Sequence, residues 1–369
     1  MKKTVKCLMH YIPPENEESR HCSLAAAAKA EYLFSCFQKL GYRVEILSAC
    51  PAERGSVKGG IREILPGVTL ETLPCLGRGN RVKNALSSIC FRLSLWRRLW
   101  QFVQEGDVLW VYHSLPLMLP VRILKRFRNV HLVLELEELY GDVLGAAAIR
   151  NRELRFARLA DGFLFPAREL ERIVNKGEKP AVICHGPYLD RETTASGAAG
   201  NHVIYAGSAL PEKGAFLAMD AAEHLPEEYH VHILTEDTPQ IRAYLARKQC
   251  RCSLSFDGLL TGQAFRDLLG TCRVGLCTQS TAAAFNETSF PSKILTYLGA
   301  GLQVVCGRIP AVESSDVGRH LHYYEEESPR AVAEAILRAA EAPGTGKQLL
   351  RTLDTSFRNA MEELLEKLG

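Results

Sequence analysis

The chain has 369 residues, 47% of them hydrophobic and 24% charged, with a formal net charge of +3. That length exceeds one ordinary core and suits two domains, and the polarity is that of a soluble globular protein. No run of eighteen apolar residues is present, so no membrane-spanning helix is expected, and the start MKKTVKCLMHYIPPENEE has no cleavable apolar region.

In chain order, TVKCLMHYI reads as a strand and Leu24 to Leu40 as a helix closed by Gly41. RVEILSA and VTLETL follow as strands, then a long helix from Val82 to Val103. DVLWVYH is a short apolar run of the kind buried on both faces of a parallel sheet. HLVLELEE, GFLFP and AVICHG supply further strands with helices between them. Near Arg191 the composition turns small and polar (RETTASGAAGN), the texture of a linker. The alternation then restarts with HVIYAGS, a helix from Lys213 to His224, HVHILTE, a helix from Pro239 to Lys248, and CSLSFDG. A helix over Gly262 to Leu269, the strand VGLCTQ, a helix from Ser292 to Ala300 and LQVVCG complete the set, and SFRNAMEELLEKLG is a closing amphipathic helix. Strands separated by helices give βαβ units and parallel sheets. The expectation is an α/β chain with an N-terminal domain over 1–190, a second domain over 191–354, and a helix over 355–369 that packs back toward the first.

Charge is uneven. Lys and Arg outnumber Asp and Glu 28 to 20 from Met1 to Asp190, and are outnumbered 17 to 22 in the remainder. A basic first half suits an anionic partner, nucleic acid or a membrane surface bearing a lipid phosphate. The Arg-rich stretch NRVKNALSSICFRLSLWRRLWQF interleaves Arg81, Lys83, Arg92, Arg97 and Arg98 with Trp96 and Trp100, a pattern that fits a helix lying on anionic lipid or an ordinary amphipathic helix with a solvated basic face. The twelve cysteines form no CxxC pair and no zinc spacing, so buried free thiols and no metal site are expected.

Four segments follow predicted strands, where open α/β sheets bind ligands. In YAGSALPEKG, Gly207 permits a tight turn, Ser208 follows it, and Lys213 stands at the helix start before Gly214. Free helix N-terminal amides and an ammonium suit a diphosphate. In AAFNETSFPSKILTYLGAG, Pro291 opens a helix whose start presents Ser292 and Lys293 at the same sheet edge. Glu135, Glu137 and Glu138 crowd the end of a first-half strand, either as acids that favour a helix start or with one of the latter two placed to position or deprotonate a hydroxyl. His113 ends DVLWVYH. The loop HYIPPENEESRHCS carries Asn16, Glu17 and Arg20, placed on the side of a second substrate.

The phrase F-P-S-K-I-x-x-Y-x-x-x-G (Phe290 to Gly301), with the YIPPENE start and E-x-E-E-x-Y (Glu135 to Tyr140), resembles the family 4 retaining glycosyltransferases. The resemblance covers almost the whole chain and is strongest to bacterial enzymes of capsule and exopolysaccharide synthesis. It implies the GT-B fold, two doubly wound Rossmann-like domains facing across a cleft, with acceptor bound by the first and nucleotide sugar by the second. It implies that Lys213 holds the donor diphosphate, that Glu287, Thr288, Phe290 and Pro291 lie against the transferred sugar, and that configuration is retained. Ser208 stands where the family often has an arginine, and Thr288 and Thr296 where many members have glutamates. No DxD-like acid pair follows a donor-half strand, so no obligatory metal or other cofactor is expected. The implied partners are a nucleotide sugar and a saccharide or polyprenyl-diphosphate-linked acceptor, not nucleic acid. The implied location is the cytoplasm, peripheral on the inner membrane face. A sugar-nucleotide epimerase and a non-catalytic saccharide-binding relative are the alternatives.

Overall fold

In the computed structural model the described residues are 3–13, 19–20, 22–53, 55–77, 80–188, 200–282, 286, 288–344 and 346–368. They divide into two units, one of 1–166, 170–184 and 356–369, the other of 167–169 and 185–355.

The first unit is built on largely buried strands: β1 (Thr4–Met9), β2 (Arg43–Ser48), β4 (Val68–Thr72), β5 (Val108–Tyr112), β6 (His131–Glu135), β7 (Gly162–Phe165) and β8 (Ala181–Ile183), with β5, β6 and β7 buried on both faces and β4 and β8 on one. The edge strand β3 (Gly60–Leu65) is the exception. It is mostly exposed, runs antiparallel to β4 through a turn at Pro66 and Gly67, and is absent from the sequence reading because GIREIL offers little apolar patterning. The order is β3-β4-β2-β1-β5-β6-β7-β8, and every pairing except β3 with β4 is parallel. The helices are α1 (Leu24–Lys39), α2 (Arg81–Phe102), α3 (Leu115–Phe127), α4 (Tyr140–Val143), α5 (Ala147–Ala157) and α6 (Arg168–Val174). Asn80 caps α2, its side chain accepting from the Lys83 amide at 2.9 Å. Phe91, Leu95, Leu99 and Phe102 recur at helical spacing and join Val111, Leu132 and Leu134 of the sheet in one core.

The second unit holds β9 (Asn201–Ala206), β10 (Tyr229–Leu234), β11 (Ser253–Phe256), β12 (Val274–Cys277), β13 (Gln303–Gly307) and β14 (His322–Tyr324). Their order is β11-β10-β9-β12-β13-β14, all parallel. Counted from β9 this is 3-2-1-4-5-6, so the strand order reverses between β9 and β12, the point at which doubly wound sheets bind ligands. In the first unit the reversal lies between β1 and β5. The second unit's helices are α7 (Ala215–Ala222), α8 (Pro239–Leu245), α9 (Gly262–Thr271), α10 (Lys293–Ala300), α11 (Pro310–Glu313), α12 (Pro329–Glu341) and α13 (Gly346–Leu368). Alanines of α7 and α12 let those helices lie close on Val203, Val231 and Ile233. The closing helix is longer than its sequence signal, and its residues from Ser356 on belong to the first unit, where Phe357 stacks on Tyr32 at 5.7 Å. All twelve cysteines are free; Cys90 is exposed.

Candidate functional site

At the reversal in the second unit, the loop after β9 meets the helix start after β12. Tyr205 organises both. Its hydroxyl lies 3.0 Å from the Ser208 carbonyl and 2.9 Å from the Lys213 carbonyl, and the Lys293 ammonium sits 4.3 Å above its ring. Burial pushes the Tyr205 phenol well above its usual range, so it stays a donor to those carbonyls. A side chain at Gly207 would begin 2.6 Å from Lys293 Nζ, so the glycine makes room for that ammonium.

Lys213 is not in the first turn of an α-helix, as the sequence suggested. It ends a single 3₁₀ turn, Pro211–Lys213, and Gly214 then takes a left-handed conformation (φ 86°) before α7 begins. The cause is packing: a Cβ on Gly214 would lie 1.8 Å from the Thr278 carbonyl oxygen, and Thr278 Oγ1 donates to the Gly214 carbonyl at 2.7 Å. The turn is held again by Glu236, which accepts from the Ala209 amide at 2.9 Å. The Gly214 amide is bonded to the Pro211 carbonyl, so the free amides of α7 start at Ala215, two residues past Lys213.

Lys293 opens α10, with Ser292 as a cap residue whose hydroxyl makes no capping hydrogen bond. Burial pushes the Lys293 ammonium below the usual lysine range; Cys277 opposes this and Lys213 adds to it. Two cations in each other's field form a site prepared for an anion. The neighbouring motif residues are mostly packing. Tyr297 accepts from the Ala206 amide at 2.8 Å and lies against Gly275, whose missing side chain leaves space for the ring. Phe290 stacks on His185 at 4.6 Å, Thr288 is buried, and Pro291 and Thr296 are half-buried. Glu287, Asn16 and Glu17 lie outside the described residues.

The first unit gathers acids instead. β6 ends at Glu135, so Glu137 and Glu138 are in the loop before α4 rather than in the strand. Glu135 is 2% exposed and accepts from Trp110 Nε1 at 2.8 Å. Burial pushes its carboxyl up to about 7; Lys29 and the Trp110 bond pull it down while Glu137 raises it further. Glu137 is half-buried and paired with Lys29, which also donates to the Cys184 carbonyl at 3.0 Å. Burial alone would lower the Lys29 ammonium, but its acidic neighbours, Glu137 first, hold it above its ordinary range. Glu138 is half-buried beside them.

His113 is buried at the strand-order reversal. Its Nε2 lies 2.8 Å from Glu153, a 0% exposed carboxylate that also accepts from the Tyr140 and Gly141 amides at 3.0 and 2.7 Å. A carboxylate already receiving two N–H groups takes the imidazole Nε2–H as a third, and His113 Nδ1 has no hydrogen-bond partner among the described residues. Lys29, Trp110 and Glu153 were missed by sequence reasoning. The signals were a lone lysine in the Ala-rich face of α1 and a glutamate on the apolar face of α5. Arg20, expected on the acceptor side, is 5% exposed, and its guanidinium is directed at the Cys50 and Leu73 carbonyls at 2.6 and 2.5 Å, a packing role.

No family model matches the sequence, and no curated protein matches it significantly. Solved structures do match in fold. A sucrose-phosphate synthase from Thermosynechococcus elongatus superposes with a TM-score of 0.73 at 13% identity, covering 100% of this chain and 99% of that one. The chain has the GT-B fold. Trehalose-6-phosphate from E. coli, bound with UDP-2-fluoro glucose, matches with a TM-score of 0.69 at 11% identity over 99% of both chains. A UDP-forming alpha,alpha-trehalose-phosphate synthase from Burkholderia xenovorans, in complex with glucose-6-phosphate, matches at 0.64 and 13% over 99% of both. At these identities the likeness is one of fold.

Proposed function

We propose that the protein is a glycosyltransferase that moves a sugar, with retention, from a nucleotide diphosphate sugar to a saccharide or lipid-linked saccharide in cell-surface polysaccharide synthesis. The observation that carries the reading is the pair Lys213 and Lys293, set around Gly207 and Tyr205 at the strand-order reversal of the second unit. The bond from the anomeric carbon to the diphosphate oxygen breaks with its electron pair on the phosphate. The two ammonium groups and the first amides of α7 stabilise that developing charge. The similar folds whose names include a UDP-forming synthase and a UDP-2-fluoro glucose complex support a nucleotide-sugar donor. We read residues 1–190 as the acceptor domain, with Glu137, Glu138 and His113 as its catalytic candidates, and residues 191–354 as the donor domain. Nucleotide release from UDP-sugars, measured with and without saccharide acceptors, tests this. Release that needs acceptor is expected; acceptor-independent interconversion of the donor indicates an epimerase, and no turnover with retained sugar binding a non-catalytic relative.

A lipid-linked acceptor is supported by α2 and α3. Val82, Leu86, Ile89, Leu93 and Trp100 are exposed along one stripe of α2, as are Leu119, Ile123 and Phe127 (70%) on α3. Exposed Arg81, Lys83, Arg92 and Arg97 accompany them. Arg98 is not part of this surface, since Glu71 binds it through two bonds of 2.5 and 2.9 Å. An apolar stripe with a basic border lies on anionic headgroups without inserting, and no described helix is long and apolar enough to cross a membrane. Sedimentation with anionic vesicles is expected to exceed that with neutral ones and to fall with salt; equal, salt-insensitive partitioning contradicts it.

A further inference from the structure

β10 reads His-Val-His, an alternation out of place in the middle of a doubly wound sheet, where both faces are normally apolar. Val231 and Ile233 face the core under α7 and α12, so His230 and His232 share the other face. Strand register adds a third imidazole, because His202 of β9 is the direct partner of His230. One ring nitrogen from each of the three lies within 4.8 Å of the others. On the far side, β11 places Ser255 opposite His232, and Asp257 follows two residues later on the same face.

From these residues we propose a divalent transition-metal site formed by His202, His230 and His232, with Asp257 and Ser255 orienting the ligands. The hydrogen-bond pattern leaves the lone pairs where an ion needs them. Ser255 Oγ donates to Asp257 Oδ2 at 2.9 Å, so it accepts from His230 Nε2 at 3.0 Å, which frees His230 Nδ1. His232 Nδ1 lies 3.1 Å from both Asp257 Oδ2 and Ser255 Oγ, and donating its proton there leaves Nε2 as a lone pair. That is the carboxylate–histidine arrangement that holds metal-bound imidazoles in one tautomer. His232 Nε2 points at His202 Nδ1 across 2.9 Å. Spreading these two nitrogens to about 3.3 Å gives the ligand separation of a tetrahedral ion with metal–nitrogen bonds of about 2.0–2.1 Å. His230 stacks on His232 at 4.0 Å and reaches the ion by rotating about its side-chain bonds. Three neutral imidazoles suit zinc, cobalt, nickel or copper, and water completes the shell. His202 precedes Gly207 by five residues of strand, about 16 Å at 3.3 Å per residue, so the ion is structural and takes no part in chemistry at Lys213 and Lys293.

The test uses the full chain after chelator treatment, titrated with Zn²⁺ and, separately, with Co²⁺. One equivalent is expected to bind, with the visible absorption of four-coordinate Co²⁺, histidine-type nitrogen scattering in X-ray absorption of the Zn²⁺ form, and a raised melting temperature. Asp257→Asn should weaken binding about 10–100-fold. His202→Gln and His230→Gln, which replace the rings with neutral polar side chains, should each abolish the cobalt spectrum. If either variant fails to fold, the wild-type X-ray absorption decides by ligand type and number. Absence of a one-equivalent site, or binding unchanged in well-folded His202→Gln and His230→Gln proteins, overturns the proposal.

Discussion

The two candidate sites are held by opposite means. The second-unit site is shaped by backbone: Gly207 and Gly214 have no room for a side chain, a 3₁₀ turn is hung on the Tyr205 hydroxyl, and the Lys293 ammonium lies over the Tyr205 ring within the field of Lys213. The first-unit site is shaped by charge: Lys29 pairs with Glu137, Glu135 accepts from Trp110, and Glu153 takes His113 Nε2 and two amides, while His113 Nδ1 has no partner among the described residues. The difference suits the two tasks proposed above. An anion that arrives and departs needs a rigid cradle of donors, whereas a group that handles a hydroxyl proton needs a carboxylate whose ionisation its surroundings set.

Each half of this contrast can be broken separately. The largest effect is expected from Glu137→Gln or Glu138→Gln. If one of these carboxylates positions or deprotonates the acceptor hydroxyl, its amide should lower turnover by roughly 10²–10⁴-fold while donor affinity holds. Steady-state kinetics beside calorimetry read the two quantities, and near-normal turnover in both variants makes the cluster structural.

Gly214→Ala should follow, because it forces a side chain onto the Thr278 carbonyl in a left-handed conformation. A loss of about 3 kcal/mol in urea denaturation is expected, with donor binding lost as well. A well-folded variant with native affinity would mean that the turn adapts and that backbone does not shape the site.

Lys213→Ala tests the cradle's charge without its shape. A charge-assisted phosphate contact is worth about 1.5–3 kcal/mol, so donor affinity by calorimetry should fall roughly 10- to 100-fold with little change in melting temperature. Unchanged affinity removes Lys213 from the site.

The smallest effect concerns pH. The Glu135 carboxyl keeps its proton to about pH 7 in the fold and releases it near the ordinary 4.5 when unfolded. Between those values the native state binds more protons, so this group's contribution to stability is complete below about pH 4.5 and is lost as pH rises through 7. Glu135→Gln still accepts from Trp110 and removes that loss. Urea titrations should show the variant more stable than the wild type at pH 8 and little changed at pH 4. The opposite sign would mean that Lys29 needs both acids ionised.

The same contrast explains what the sequence made legible. The parallel strands were carried by apolar runs separated by helical stretches, whereas the strand order, and with it the reversal between β9 and β12, is set by pairing between distant segments. The cradle was visible because its parts are local: Tyr205, Ser208 and Lys213 span nine residues, and Phe290 to Lys293 are contiguous. What was missed depends on distance. Lys29 is paired with a residue 108 positions away and His113 with one 40 positions away, and no short window contains either pair. The packing of Arg20, expected on the acceptor side, was hidden for the same reason, since the carbonyls it meets lie 30 and 53 positions away. The left-handed Gly214 was also hidden, because only the approach of Thr278 demands it. The three histidines are spaced along two strands, and register rather than spacing brings them together.

The shared helix α13 has a consequence for biosynthesis. The first unit is assembled from residues up to 184 together with those from Ser356 on, whose Phe357, Met361, Leu364 and Leu365 are buried. Leu364 approaches Gly162, which has no side chain to obstruct it. As the polypeptide leaves the ribosome, the first unit cannot finish folding until this late segment emerges, while the second has nearly all its residues already. The domain begun first is therefore completed last, and a stop codon near residue 355 would remove part of the core at the opposite end of the gene.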